Sequence, residues 1–180
     1  MNLQDNDFAL FGIPGRFAQD RAGLDARWKQ LQREVHPDKF AAQGASAQRV
    51  AMQWSVRINE AYQRLKEPLS RAAYLCELRG APIDAEKNTA MPTEFLMHQM
   101  EWREALDDAK SEAALLDLTA QVDRLRRELL QKCEVLLDAN DDATAGAQAN
   151  AKAAAQQVRA LMFVQRFASE LDDRLDQLGQ

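Results

Sequence analysis

His36, Pro37 and Asp38 stand side by side in "EVHPDKF": an imidazole, a ring that fixes the backbone, and a carboxylate. An imidazole beside a carboxylate can do acid–base work, or hold a metal given further ligands. Both uses need groups that the sequence does not supply. The chain has two histidines, His36 and His98, and two cysteines, Cys76 and Cys133, far apart and outside any C-x-x-C spacing. No serine or cysteine has the motif context of a nucleophile. The use left is recognition, in which a stiff polar tripeptide is shown to a partner. A chance tripeptide in a plain helical adaptor is the competing reading.

The elements around the tripeptide favour recognition. Leu24, Trp28, Leu31 and Val35 follow helical spacing, and Pro37 disfavours helix at the residue before it. A helix is therefore expected from an N-cap at Asp20 to about His36, its apolar stripe turned inward. Lys29, Arg33 and His36 then share the opposite face, leading into an exposed loop. A third helix is expected over about Ser46–Glu67, with Val50, Trp54, Ile58, Ala61, Tyr62 and Leu65 on one stripe. Before this pair, "NDFALF" reads as a short helix closed by Gly12, with Pro14 as a stop. After it, Pro68 opens one more short helix that ends at Gly80.

"GAPIDAEKNTAMP" is rich in loop formers, and residues 81–92 read as a hinge or linker. Residues 93–180 read as three amphipathic helices in an antiparallel bundle, so the whole chain is expected to be all-α. The first covers about 93–109. The second carries Leu115, Leu118, Val122, Leu125, Leu129, Cys133 and Leu136. The third covers about 148–178, with Ala154, Val158, Leu161, Ala168, Leu171, Leu175 and Leu178 in phase. "ANDDATAGAQAN" between these two reads as a turn.

Within 93–109, Phe95, Trp102, Leu106 and Ala109 form an inward stripe, closed by Ala113. Leu96, Met97, Met100, Glu101, Glu104 and Asp108 cluster on the other face. On the last helix Phe163 sits about 200° from Leu161, among Arg159, Arg166 and Glu170. One reading is an apolar patch rimmed by acid, which suits protein binding rather than catalysis. The other is that the stripe is out of phase, or that these residues pack against the N-terminal half. His98 beside Phe95 and Trp102 reads as packed or capped rather than as a ligand.

Bulk properties set the limits. Hydrophobic residues at 46% and charged residues at 28%, with seven glycines and five prolines, fit a helical globular protein. No run of about 18 apolar residues exists, and the acidic N-terminus lacks the features of a secretory signal. A cytoplasmic protein is expected, with both cysteines as buried thiols. Residues 1–80 carry 12 Lys/Arg against 9 Asp/Glu, and residues 81–180 carry 11 against 19. A surplus of three cations is too small to suggest nucleic acid, but it suits an acidic protein surface.

"DNDFALFGIP", a basic second helix, "HPDKF" and "INEAYQRLKEPLSRAAY" resemble a J-domain. Such domains stimulate ATP hydrolysis by DnaK-type chaperones. The resemblance implies that residues 1–80 are a J-domain with a connecting helix. It also implies that His36, Pro37 and Asp38, helped by Lys29 and Arg33, engage the chaperone. "FLMHQMEWREAL" and the "LFGIP…HPDKF" spacing resemble the HscB family of iron–sulphur co-chaperones, over nearly the whole chain. That resemblance implies delivery of the scaffold IscU to the chaperone HscA and stimulation of its ATPase, with no catalytic site of its own. By matching positions, the scaffold-binding residues would be Leu96, Met97, Met100, Glu101, Glu104, Asp108 and Phe163. Met100 replaces a frequent leucine of the family motif, and Asp108 replaces a glutamate. No cofactor, resident metal or membrane partner is expected, and two cysteines could not supply four cluster ligands. A J-protein dedicated to another client is the alternative.

Overall fold

The computed structural model describes residues 2–87, 90–139 and 145–178, and these are helical with no strand. The chain divides into two compact units, Met1–Tyr74 and Leu75–Gln180.

In the first unit, α1 (Asp7–Phe11) is capped by Asn6, whose side chain accepts the Ala9 N–H, and closed by Gly12 at φ 66°. That left-handed conformation is one that glycine adopts without strain. Helix α2 (Arg21–Glu34) starts at Asp20, whose carboxylate accepts the Ala22 and Gly23 N–H groups, and ends at Val35. A 3-10 helix (Pro37–Gln43) and α3 (Ala45–Lys66) follow. Helix α4 (Pro68–Leu78) begins in this unit, and the division between units falls within it.

Helices α2 and α3 are antiparallel, as their cross-contacts show. The Tyr62 hydroxyl donates to Asp25 at 2.8 Å, the Trp28 indole N–H donates to Asn59 at 2.9 Å, and Gln32 donates to the Ser55 carbonyl at 3.1 Å. The Trp28 and Tyr62 rings stack 4.7 Å apart. Leu24, Leu31, Val35, Ile58, Ala61 and Leu65 fill the seam with Phe8, Leu10 and Phe11 of α1. Asp7 is fully buried there between two cations, with Arg57 at 2.7 Å and Arg64 at 2.9 Å.

The expected stripe of α3 needs one correction. Val50 is 49% exposed, and Ala51 takes the core position. Val50 instead lines an open groove with Val35, Phe40 and Trp54. A chain leaving α2 through a 3-10 helix leaves space above the first turns of α3, so the wider side chain is not enclosed.

The second unit contains α5 (Thr93–Asp108), α6 (Glu112–Asp138) and α7 (Ala145–Leu178). Contacts from α5 to α7 rise together in number: Phe95 meets Phe163, Trp102 meets Phe167, and Arg103 meets Glu170. These two helices therefore run parallel, with α6 antiparallel between them in the chain. Leu115, Leu118, Val122, Leu129, Cys133 and Leu137 of α6 meet a long alanine-rich face of α7. Small side chains let two helices approach closely along their length.

Three expectations shift here. Ala113 is exposed and does not close the α5 stripe, because Ser111 caps α6 and starts a new helix direction. Leu137 rather than Leu136 is the fully buried residue, and Leu178 is exposed beyond the reach of α6. Helix α7 begins at Ala145, so the second half of the expected turn is helical, and residues 140–144 of that turn lie outside the described residues.

Candidate partner-binding sites

The tripeptide sits where the chain changes helix type. Pro37 occupies the first position of the 3-10 helix, where its missing N–H costs nothing. His36 caps that helix: its Nδ1 accepts the Asp38 backbone N–H at 3.3 Å, and the Lys39 N–H donates to the His36 carbonyl at 3.0 Å. A ring whose Nδ1 accepts carries its proton on Nε2. His36 thus offers a donor and Asp38 an acceptor, both on exposed side chains. An Asp38 carboxylate oxygen lies 3.6 Å from the same Nδ1. Lys29 and Arg33 are exposed on α2, Arg33 in its last turn and Lys29 one turn earlier, and the Arg33 Nε donates to the Lys29 carbonyl at 3.2 Å. The unit therefore presents one donor, one acceptor and two cations on a short rigid frame.

On α5, Phe95 and Trp102 are buried, while Leu96, Met97 and Met100 are 45%, 65% and 71% exposed. Glu101, Glu104 and Asp108 are exposed with them. Three large apolar side chains therefore share a face with three carboxylates, and the exposed Arg103 at its edge is paired with Glu170 of α7. An apolar contact bordered by carboxylates suits a partner surface of apolar groups and cations. His98 is half-buried, 6.0 Å from the Trp102 ring, with Nδ1 3.6 Å from Glu101.

Phe163 stands differently from its sequence reading. It is half-buried, edge-on to Phe95 at 5.6 Å and stacked on Phe167 at 6.1 Å. It belongs to the α5–α7 seam and is not an aromatic left out of the bundle. The reason is a second row on α7. Arg159, Phe163 and Phe167 follow one another every four residues, and over so short a run that spacing keeps them on one side of the helix, where Phe163 and Phe167 meet the rings of α5.

Arg159, which the sequence places beside Phe163 on the helical wheel, is buried one turn before it. Its Nε donates to the Ala90 carbonyl at 2.6 Å and a terminal nitrogen donates to the Ile83 carbonyl at 3.0 Å. Burial draws its affinity for the proton below the usual guanidinium value, against the opposing influence of Cys76 and Asp84. Arg103 was likewise not singled out from the sequence. It reaches both Glu170 oxygens, at 2.7 and 3.3 Å, and stands over the rings of Phe163 and Phe167. Its place one turn after Met100 was visible, but its α7 partner was not.

Both thiols are buried. Burial pushes Cys76 up to about 11, and burial with the nearby Cys76 pushes Cys133 up to about 12. Among the described residues no cluster of three His, Cys, Asp or Glu could hold a metal, and no helix is long and apolar enough to cross a membrane.

The chain is 46% identical to the co-chaperone protein HscB homolog of Burkholderia multivorans, over 99% of this chain and 98% of that one. The chain belongs to the HscB co-chaperone family. The homolog from Burkholderia mallei is similar to the same extent. A family model described as the HSCB C-terminal oligomerisation domain matches residues 91–172. Among solved structures, the chaperone HscB from Vibrio cholerae superimposes with a TM-score of 0.79 at 36% identity, covering 97% of this chain and 99% of that chain. Human co-chaperone protein HscB gives 0.80 at 27% identity, covering 99% and 84%. As in HscB structures, the fold is all-α, with an N-terminal J-domain and a C-terminal three-helix bundle.

Proposed function

We propose that this HscB-family protein binds an IscU-type iron–sulphur scaffold through α5 and delivers it to an HscA-type chaperone, whose ATPase it stimulates through His36, Pro37 and Asp38. Residues 1–80 act on the chaperone, residues 93–180 hold the scaffold, and residues 81–92 link the two. The observation that carries this reading is the exposed face of α5, where Leu96, Met97 and Met100 are bordered by Glu101, Glu104 and Asp108. Phe163 adds its accessible edge to that surface. Lys29 and Arg33 steer the J-domain onto an acidic chaperone surface. The chain supplies no catalytic group and acts in the cytoplasm. Its effect is on the chaperone's own hydrolysis, and binding both partners raises the local concentration of scaffold at the chaperone.

The test is the steady-state ATPase of an HscA-type chaperone with scaffold present. The protein should raise turnover, and His36→Gln should abolish the stimulation while leaving the melting temperature in place, since His36 is exposed. Full stimulation by His36→Gln would sink the assignment of the J-domain site. Stimulation without scaffold binding would point to a different client.

A further inference from the structure

Arg159 holds two carbonyls of the segment that leads into α5. Ile83 and Ala90 are seven positions apart, yet one guanidinium donates to both, at 3.0 and 2.6 Å. Asp84, directly after Ile83, is the only non-glycine with positive φ among the described residues, at 44°. The Ile83 carbonyl thus belongs to a peptide whose far side is held in the left-handed region, which a non-glycine side chain disfavours. The Lys87 N–H donates to the Asp84 carbonyl at 2.8 Å and closes that turn. Three residues after Ala90, α5 begins, with Leu96 at the end of its first turn and Met97 directly after it. Four residues after Arg159, on the same row of α7, stands Phe163.

A buried cation bonded to backbone carbonyls is a costly way to stabilise a loop, since an apolar side chain of similar volume often serves as well. What the guanidinium adds is a planar fork of donors whose directions are fixed. We propose that Arg159 is a positioning residue for scaffold binding. It fixes the start of α5 against α7, so that Leu96, Met97 and Met100 stand in a set relation to Phe163. The functional half of this inference rests on the scaffold-binding reading above. The positional half does not.

The experiment uses the full chain with Arg159→Gln and Arg159→Lys. An IscU-type scaffold is titrated calorimetrically, well below each variant's melting temperature, and amide hydrogen exchange is followed in the free protein. Arg159→Gln should weaken scaffold binding by roughly tenfold or more. Amides of Met97–Trp102 should exchange at least about tenfold faster, while those of Leu118–Cys133 in α6 keep their rates. Lysine should not rescue, because a point charge cannot serve two separated carbonyls with the geometry of a fork. Unchanged exchange in α5, or equal acceleration in α6, would overturn the positional role, since the second pattern is general loosening. Faster exchange in α5 with full scaffold affinity would overturn the functional role. If the wild-type chain fails to bind scaffold, the client reading falls, and the exchange rates alone still decide the positional role.

Discussion

The J-domain site and the α5 surface are built on opposite plans. His36, Pro37 and Asp38 are consecutive, and their frame is local: a proline at the start of a 3-10 helix, one cap from His36, one backbone hydrogen bond. The α5 surface is assembled from residues up to 68 positions apart. It depends on Phe95 meeting Phe163, Trp102 stacking on Phe167 at 5.4 Å, and Arg103 gripping Glu170. A local site keeps its geometry for as long as its turn forms. An assembled surface keeps its geometry only while the bundle holds it, so substitutions outside the contact can weaken binding.

That contrast can be broken at its supports. The largest effect should come from Asp7, which is buried between Arg57 and Arg64 and ties α1 to α3. Asp7→Ala leaves two guanidinium groups without their carboxylate and should cost about 3–5 kcal/mol. Urea denaturation followed by circular dichroism measures that loss. A cost below about 1 kcal/mol would mean that the arginines find water instead. Because the tripeptide's own frame is local, His36→Gln should in comparison leave stability alone.

A smaller and more mixed effect is expected at Phe163. As a half-buried ring in the α5–α7 seam, it should lose about 1–3 kcal/mol of stability on truncation to alanine, and scaffold binding should weaken as well. Leu96, Met97 and Met100 should affect binding only. Phe163→Ala that melts earlier but binds scaffold normally would assign the ring to the seam alone, and would place the whole contact on α5.

The two plans also explain what the sequence disclosed. Asp20, Gly12, Gly80 and Pro68 marked helix ends correctly, since capping and proline sterics act over a few residues. The exposure of the tripeptide followed from the same local logic, although its 3-10 geometry did not. Residues whose place depends on a distant neighbour were harder. Val50 and Ala51 are adjacent, and only the path of the 3-10 helix decides which one is enclosed. Asp7 looked like one more acid near an acidic terminus, because its two arginines lie 50 and 57 residues away. On α7 the alanine-rich stripe facing α6 hid a second row of fourfold spacing, which is where Arg159 and Phe163 belong. Rows shared between two neighbours broaden the apolar face of a helix, and a single-stripe reading then puts its edge in the wrong place.

The central claim is that the exposed face of α5 is a binding surface for the scaffold, and one titration addresses it directly. An IscU-type scaffold is titrated by calorimetry into the wild-type chain and into a variant with Leu96, Met97 and Met100 all changed to alanine. Each of these side chains, if fully covered, contributes about 1.5–3 kcal/mol. The triple variant should therefore lose at least about a hundredfold in affinity while keeping its melting temperature, because all three are exposed in the free protein. Equal affinity for the two proteins would contradict the account and move the scaffold contact away from α5.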